Sequence, residues 1–213
     1  MENFINDVQI QFFDYISSNN RSEIIKFFRE NHYQPWEFID EEGNTGIILF
    51  NPAIIKSSFL DFTVLTITMI DEIQLKLGED SKDIIKKWIN LPSRDGYTPL
   101  HYACFRGNIE LIIKLTENFA DHNICNHYGL NCLHVSAQGN KPQSLVYMIE
   151  KFNIDINSKD KVGSTPIHWA CYTGSENVLN FILAKNPDLN VQDKDGYTPL
   201  HLAVISGFIL YNT

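Results

Sequence analysis

Five residues able to bind a soft metal crowd into a stretch of thirteen: His122, Cys125, His127, Cys132 and His134. Imidazole and thiolate are the usual zinc ligands, so a metal centre is the first chemistry to weigh. Structural zinc sites pair ligands two to four residues apart from two separate segments, and the second pair is missing here. Four further-spaced histidines, His101, His134, His168 and His201, lie 33, 34 and 33 residues apart. An imidazole titrates near neutral pH and so invites an acid–base role. A catalytic centre, however, is not built in four copies. A residue that returns once per period belongs to the architecture, and each of these is expected at the third position of a helix, tying the helix start to the neighbouring turn. Cys104 and Cys171 share a station in that period and read as small buried hydrophobes. No Ser/His/Asp or Cys/His set carries nucleophile-and-base logic, and no glycine-rich phosphate loop stands apart from the repeat. The residues thus assign no catalytic group, no metal ligand and no cofactor.

The histidines belong to a longer recurrence. GYTPLHY at Gly96–Tyr102 returns as GLNCLHV at Gly129–Val135, GSTPIHW at Gly163–Trp169 and GYTPLHL at Gly196–Leu202. Asn90, Asn123, Asn157 and Asn190 keep the same period, each six residues ahead of the glycine. Self-similarity at this spacing is the signature of a repeat architecture. Within one period Thr98 is placed to N-cap a helix, and Pro99 suits its first position, where the missing N–H would be unpaired anyway. Leu100, Ala103 and Cys104 share one face, and Gly107 with Asn108 closes the helix. Ile109, Ile112 and Ile113 then mark a second helix at i, i+3, i+4 spacing. Further on, Ser175 and Glu176 open the equivalent helix, carried by Val178, Leu179, Ile182 and Leu183. Turn formers fill the connector Asn190–Gly196. In the second copy Asn131 and Cys132 replace Thr and Pro; Asn131 can still cap, but a weaker repeat is expected there.

These residues resemble the ankyrin repeat, whose Asp-x-x-Gly-x-Thr-Pro-Leu-His-x-Ala pattern is met almost fully at Asp160–Ala170 and Asp193–Ala203. The resemblance implies an all-α solenoid of helix–turn–helix units whose first helices line a concave surface. Residues 92–124, 125–158, 159–191 and 192–213 are the expected repeats, the last incomplete. Residues 1–42 read as a degenerate N-terminal capping repeat. Residues 43–91, opening with GNTGIIL at Gly43–Leu49, read as a degenerate repeat carrying about twenty extra residues. That insertion falls within 52–83, with a helix expected through 63–77 and a loop at 78–80. After Gly207 only FILYNT follows, which suggests truncation and an uncovered last helix. Leu200, Ala203 and Val204 are therefore expected to be less buried than their counterparts one repeat earlier.

A narrower resemblance rests on WIN, DGYTPLHYACFRGNI, GLNCLHVSAQGN and GSTPIHWACYTGSE, in that order between Trp88 and Gly207. Together they look like the ankyrin region of Asp-His-His-Cys palmitoyltransferases of single-celled eukaryotes. None of that family's catalytic residues stands in this sequence, so the resemblance implies at most a substrate-recruiting portion whose membrane domain lies elsewhere. It also implies a role for Trp169, which stands where that family's His-Trp-Ala tryptophan contacts substrate peptides. Read from the residues alone, Trp169 is either packing between helices or a recognition anchor, since tryptophan is enriched at binding hot spots. It heads a column with Tyr102, Val135 and Leu202, each one residue past a motif histidine, and Gln138 and Tyr172 are the expected neighbours. Trp169, Gln138, Tyr102 and Tyr172 are accordingly the candidate partner-binding residues, and the expected ligands are protein or peptide segments.

The rest is bounded by composition. The 213 residues are 44% hydrophobic and 20% charged, enough apolar side chain for a core and too much for a disordered chain. A formal net charge of −9 disfavours nucleic acid, which is held by neutralising phosphates. Residues 1–91 carry 15 acids against 8 bases, residues 92–213 carry 11 against 9, so the acidity belongs mainly to the N-terminal part. No stretch approaches the roughly 20 apolar residues of a membrane helix, and no basic-then-apolar leader opens the chain. Four cysteines without Cys-x-x-Cys spacing fit a reducing compartment, hence an intracellular, cytoplasmic-side protein. No oligomeric state is legible.

Overall fold

Thr98, Asn131, Thr165 and Thr198 each open a helix in the computed structural model of the chain, and one capping device serves all four. The structure describes residues 11, 14, 15, 20–30, 66, 67, 69–75 and 78–207. The helices are α1 (Arg21–Glu30), α2 (Ser81–Ile89), α3 (Pro99–Arg106), α4 (Ile109–Glu117), α5 (Cys132–Gln138), α6 (Pro142–Phe152), α7 (Pro166–Thr173), α8 (Glu176–Leu183) and α9 (Pro199–Ile205). Residues 66, 67 and 69–75 are also helical, and no strand occurs among the described residues. The expected loop at 78–80 is instead a single 3-10 turn, Gly78–Asp80, which leads directly into α2 and is closed by the Ser81 hydroxyl donating to the Gly78 carbonyl. The readings for residues 1–10 and 31–65, the capping unit and the start of the insertion among them, lie outside the described residues.

Two rows of helices form because each unit places two apolar stripes on helices too short to stand alone. α3, α5, α7 and α9 stack side by side as the first-helix row, and α4, α6 and α8 form the second. Leu100, Ala103 and Cys104 of α3 meet Ile112 and Leu115 of α4 in the core; Leu133, Ala137, Leu145 and Met148 repeat the arrangement, then Ile167, Ala170, Val178 and Ile182. Each Leu, Ile, Val or Met side chain among them contributes roughly 1.5–3 kcal/mol on burial. Trp88, Ile85 and Ile89 of α2, with Met69, Ile70 and Ile73, extend the core towards the N-terminus.

The second unit is fully packed despite its departures from the pattern. Every residue from Cys132 to Ala137 is buried. The reason is position and chemistry together: α5 is packed on both sides, by α3 and α7, and Asn131 Oδ1 accepts from the N–H groups of Leu133 at 2.9 Å and His134 at 3.2 Å. At the other end Leu200 and Val204 are 71% and 70% exposed, whereas Ile167 and Cys171, their equivalents in α7, are 3% and 5% exposed. α8 covers α7, and among the described residues no second helix covers α9.

The connectors stack as regularly as the helices. Each is a tight hairpin: Asn126 N–H donates to Leu130 O, Asp160 N–H to Ser164 O, Asp193 N–H to Tyr197 O, and Ser93 N–H to Tyr97 O. Neighbouring hairpins are joined by backbone bonds, His127 N–H to Asp95 O, Lys161 N–H to Tyr128 O and Lys194 N–H to Val162 O, all 2.9–3.0 Å. This explains the glycine column. Gly129 sits at φ +81°, where an L side chain is strained, and a Cβ there would lie 2.7 Å from the Lys161 nitrogen.

Candidate partner-binding site

The motif histidines staple one unit to the next. Thr98 N–H donates to His101 Nδ1 at 3.1 Å, so Nδ1 is an acceptor and the proton sits on Nε2, which donates to the Leu130 carbonyl at 3.1 Å. His134 Nε2 reaches Ser164 O and His168 Nε2 reaches Tyr197 O in the same way, each at 3.2 Å. Burial pushes the His101 imidazole down to about 4, and it lowers His134 and His168 as well. Both ring nitrogens of His101, His134 and His168 are thus committed to the fold.

The Cys/His cluster is dispersed by the same geometry. Cys132 and His134 are buried in α5, Cys125 and His127 lie exposed in the hairpin, and His122 stacks on Phe152 with ring centroids 4.2 Å apart. Among the described residues no group of three or more His, Cys, Asp or Glu side chains is arranged to hold a metal ion. All four cysteines are unpaired.

Trp169 and Gln138, from the neighbouring helices α7 and α5, wall a single cavity of 410 Å³. Tyr97, His127, Tyr128, Leu130, Asp160, Lys161 and Val162 complete it, so the hairpins supply most of the lining. Trp169 is half-buried, and its indole N–H donates to Asp160 Oδ2 at 2.9 Å. The other Asp160 oxygen accepts from the N–H groups of Val162 and Ser164, both at 2.9 Å, which locks the carboxylate into its hairpin. Lys161 turns its ammonium to the His127 carbonyl, 2.7 Å away.

Tyr102 and Tyr172 lie outside this lining. Tyr102 packs on Tyr97 with centroids 5.7 Å apart, and Tyr172 is exposed, its ring edge-on to Trp169 at 6.2 Å. The column from Tyr102 to Leu202 is not a continuous apolar strip: Val135, with its shorter side chain, is 1% exposed where Trp169 is half-buried. Tyr97, Tyr128 and Asp160 were missed by reading helix faces. The available signal was the hairpin register, which brings Tyr97 and Tyr128, beside Gly96 and Gly129, to the same cavity as Trp169.

A family model for three ankyrin repeats matches residues 73–160 and again 133–211. The chain belongs to the ankyrin repeat family. A crystal structure of the ankyrin repeat protein EF0377 superposes with a TM-score of 0.68 at 20% identity, covering 92% of each chain, which shows the same fold. Among curated relatives, alpha-latrotoxin-Lhe1a of Latrodectus hesperus is 34% identical over 92 residues, 43% of this chain and 6% of the toxin. The target of rapamycin complex 2 subunit AVO2 of Saccharomyces cerevisiae is 30% identical over 96 residues, 44% of this chain and 22% of that subunit. The chain therefore spans only a small part of these relatives. Neither is a palmitoyltransferase, and the narrower resemblance finds no support in these matches.

Proposed function

We propose that this chain is a non-catalytic protein-interaction module that holds an extended partner segment across the first-helix row, with Trp169 as the anchor. The observation that carries this reading is the aromatic cavity shared by Trp169, Gln138, Tyr97 and Tyr128. Its size is that of a pocket for one large side chain and its flanking backbone, within the range of about 300–1,000 Å³ of small-ligand sites. Gln138 offers an amide for a segment's main chain, and Tyr172 extends the surface beside Trp169. AVO2, one of the relatives, is named as a subunit of a larger complex, in keeping with a binding role. The palmitoyltransferase alternative rests on the phrases between Trp88 and Gly207 alone, so the module reading is the one adopted. Four unpaired thiols favour placing it on the reducing, cytoplasmic side of a cell.

The test is a random-peptide display selection on the full chain, followed by affinity measurement on Trp169→Ala. Peptides that lose about thirtyfold or more in affinity, on a variant that still melts cooperatively, support the site. Selected peptides that bind the variant unchanged would place recognition elsewhere.

A further inference from the structure

We infer that the side chain seated in the Trp169 cavity is a cation, so the partner segment presents a lysine or arginine there. This rests on the cavity being a peptide site. The indole N–H of Trp169 is already bonded to Asp160 Oδ2, so the ring, not its polar edge, is what Trp169 offers a ligand. Donation to a carboxylate raises the electron density of the indole and strengthens the pull of its face on a positive charge. Tyr97 and Tyr128 add two more rings to the same walls.

The charge behind the rings points the same way. Asp160 is 7% exposed, and among the described residues no cationic side chain forms an ion pair with it. Three N–H donors satisfy its hydrogen bonding but leave its charge unmatched, and a buried charge is costly until an opposite one is near. Lys161 also borders the cavity, but it is exposed and its ammonium is held at the His127 carbonyl, where solvent screens it.

Comparison between units of this chain isolates the feature. The hairpin station of Asp160 is occupied by Ser93, Asn126 and Asp193 in the other three units, and the station of Trp169 by Tyr102, Val135 and Leu202. Carboxylate and tryptophan coincide in the third unit alone. Asn126 Oδ1 accepts from the N–H groups of Tyr128 and Leu130, both at 2.9 Å, just as Asp160 does from its own hairpin. Asp160→Asn should therefore keep the hairpin while removing the charge and the indole's acceptor.

The experiment sequences the peptides that the full chain selects and that depend on Trp169. They are expected to share a lysine or arginine at one position. Replacing that residue by norleucine, which keeps the aliphatic stem and deletes the charge, should weaken binding about tenfold or more. Asp160→Asn should narrow the difference between the lysine and norleucine peptides. Trp169-dependent peptides that lack a basic residue, or that bind equally well with norleucine, would overturn the cation and leave the site standing. No Trp169-dependent peptide at all would remove both. The norleucine comparison uses the unaltered protein, so it holds even if a variant folds poorly.

Discussion

Protonating His101 in the folded chain would break the bond from Thr98 N–H and leave a charge at a site 1% exposed. Its value of about 4 against roughly 6.5 in an unfolded chain has a definite sign. The unfolded state takes up the proton first as pH falls, so stability is complete above about pH 6.5 and declines towards pH 4. Between pH 7 and pH 5, above the ordinary carboxylate range, His101 alone should withdraw about 2 kcal/mol, and His134 and His168 act in the same direction. Urea unfolding at the two pH values checks this; an unchanged midpoint would contradict it. Trp169 behaves differently because it is only half-buried. Trp169→Ala should cost folding about 1–3 kcal/mol, less than a fully buried tryptophan, and leave a cooperative melt. The histidine roles were legible in the sequence because recurrence at 33 residues excludes chemistry that needs a single copy. The partner of Trp169 was not: Asp160 lies nine residues back in a hairpin, and only the side-chain rotamers bring the two together.

At the scale of the element, the heptapeptide makes the first helices easy to read. Thr or Asn at the cap, Pro at the first turn in three of four, and His at the third position state the helix start in chemical terms. Less legible is how closely the units approach. A Cβ on Gly139 would lie 2.0 Å from the Phe105 carbonyl, a contact between the ends of α5 and α3 that no periodicity reveals. The hairpins give a cleaner test, because Gly129 and Gly196 share a positive φ, +81° and +82°, but differ in surroundings. A Cβ at Gly129 meets the next hairpin, while at Gly196 nothing lies within 4 Å. Gly196→Ala should cost about 1 kcal/mol, from backbone strain alone. Gly129→Ala should cost at least about 1 kcal/mol more, since the stack must shift. Equal losses in chemical denaturation would mean that hairpin stacking does not hold the units together.

The whole molecule is a stack in which each unit is stabilised by its neighbours, so stability should fall off where a neighbour is absent. α9 has its apolar side chains open, with Leu200, Val204 and Leu183 bordering a cavity of 560 Å³. Amides of Leu200–Ile205 should exchange with deuterium much faster than those between Ile167 and Leu183, and equal protection would refute the inequality. The alternation of first and second helices from Pro99 to Ile205 was readable in the sequence. The location of the aromatic cavity was not, because it arises between units, from hairpin and helix residues about thirty positions apart. The most direct test of the central claim is chemical-shift mapping of the full chain with its tightest selected peptide. The largest changes should fall on the Trp169 indole N–H and on the amides of Gln138 and Tyr128, whereas changes confined to α4, α6 and α8, with the Trp169 signal unmoved, would contradict it.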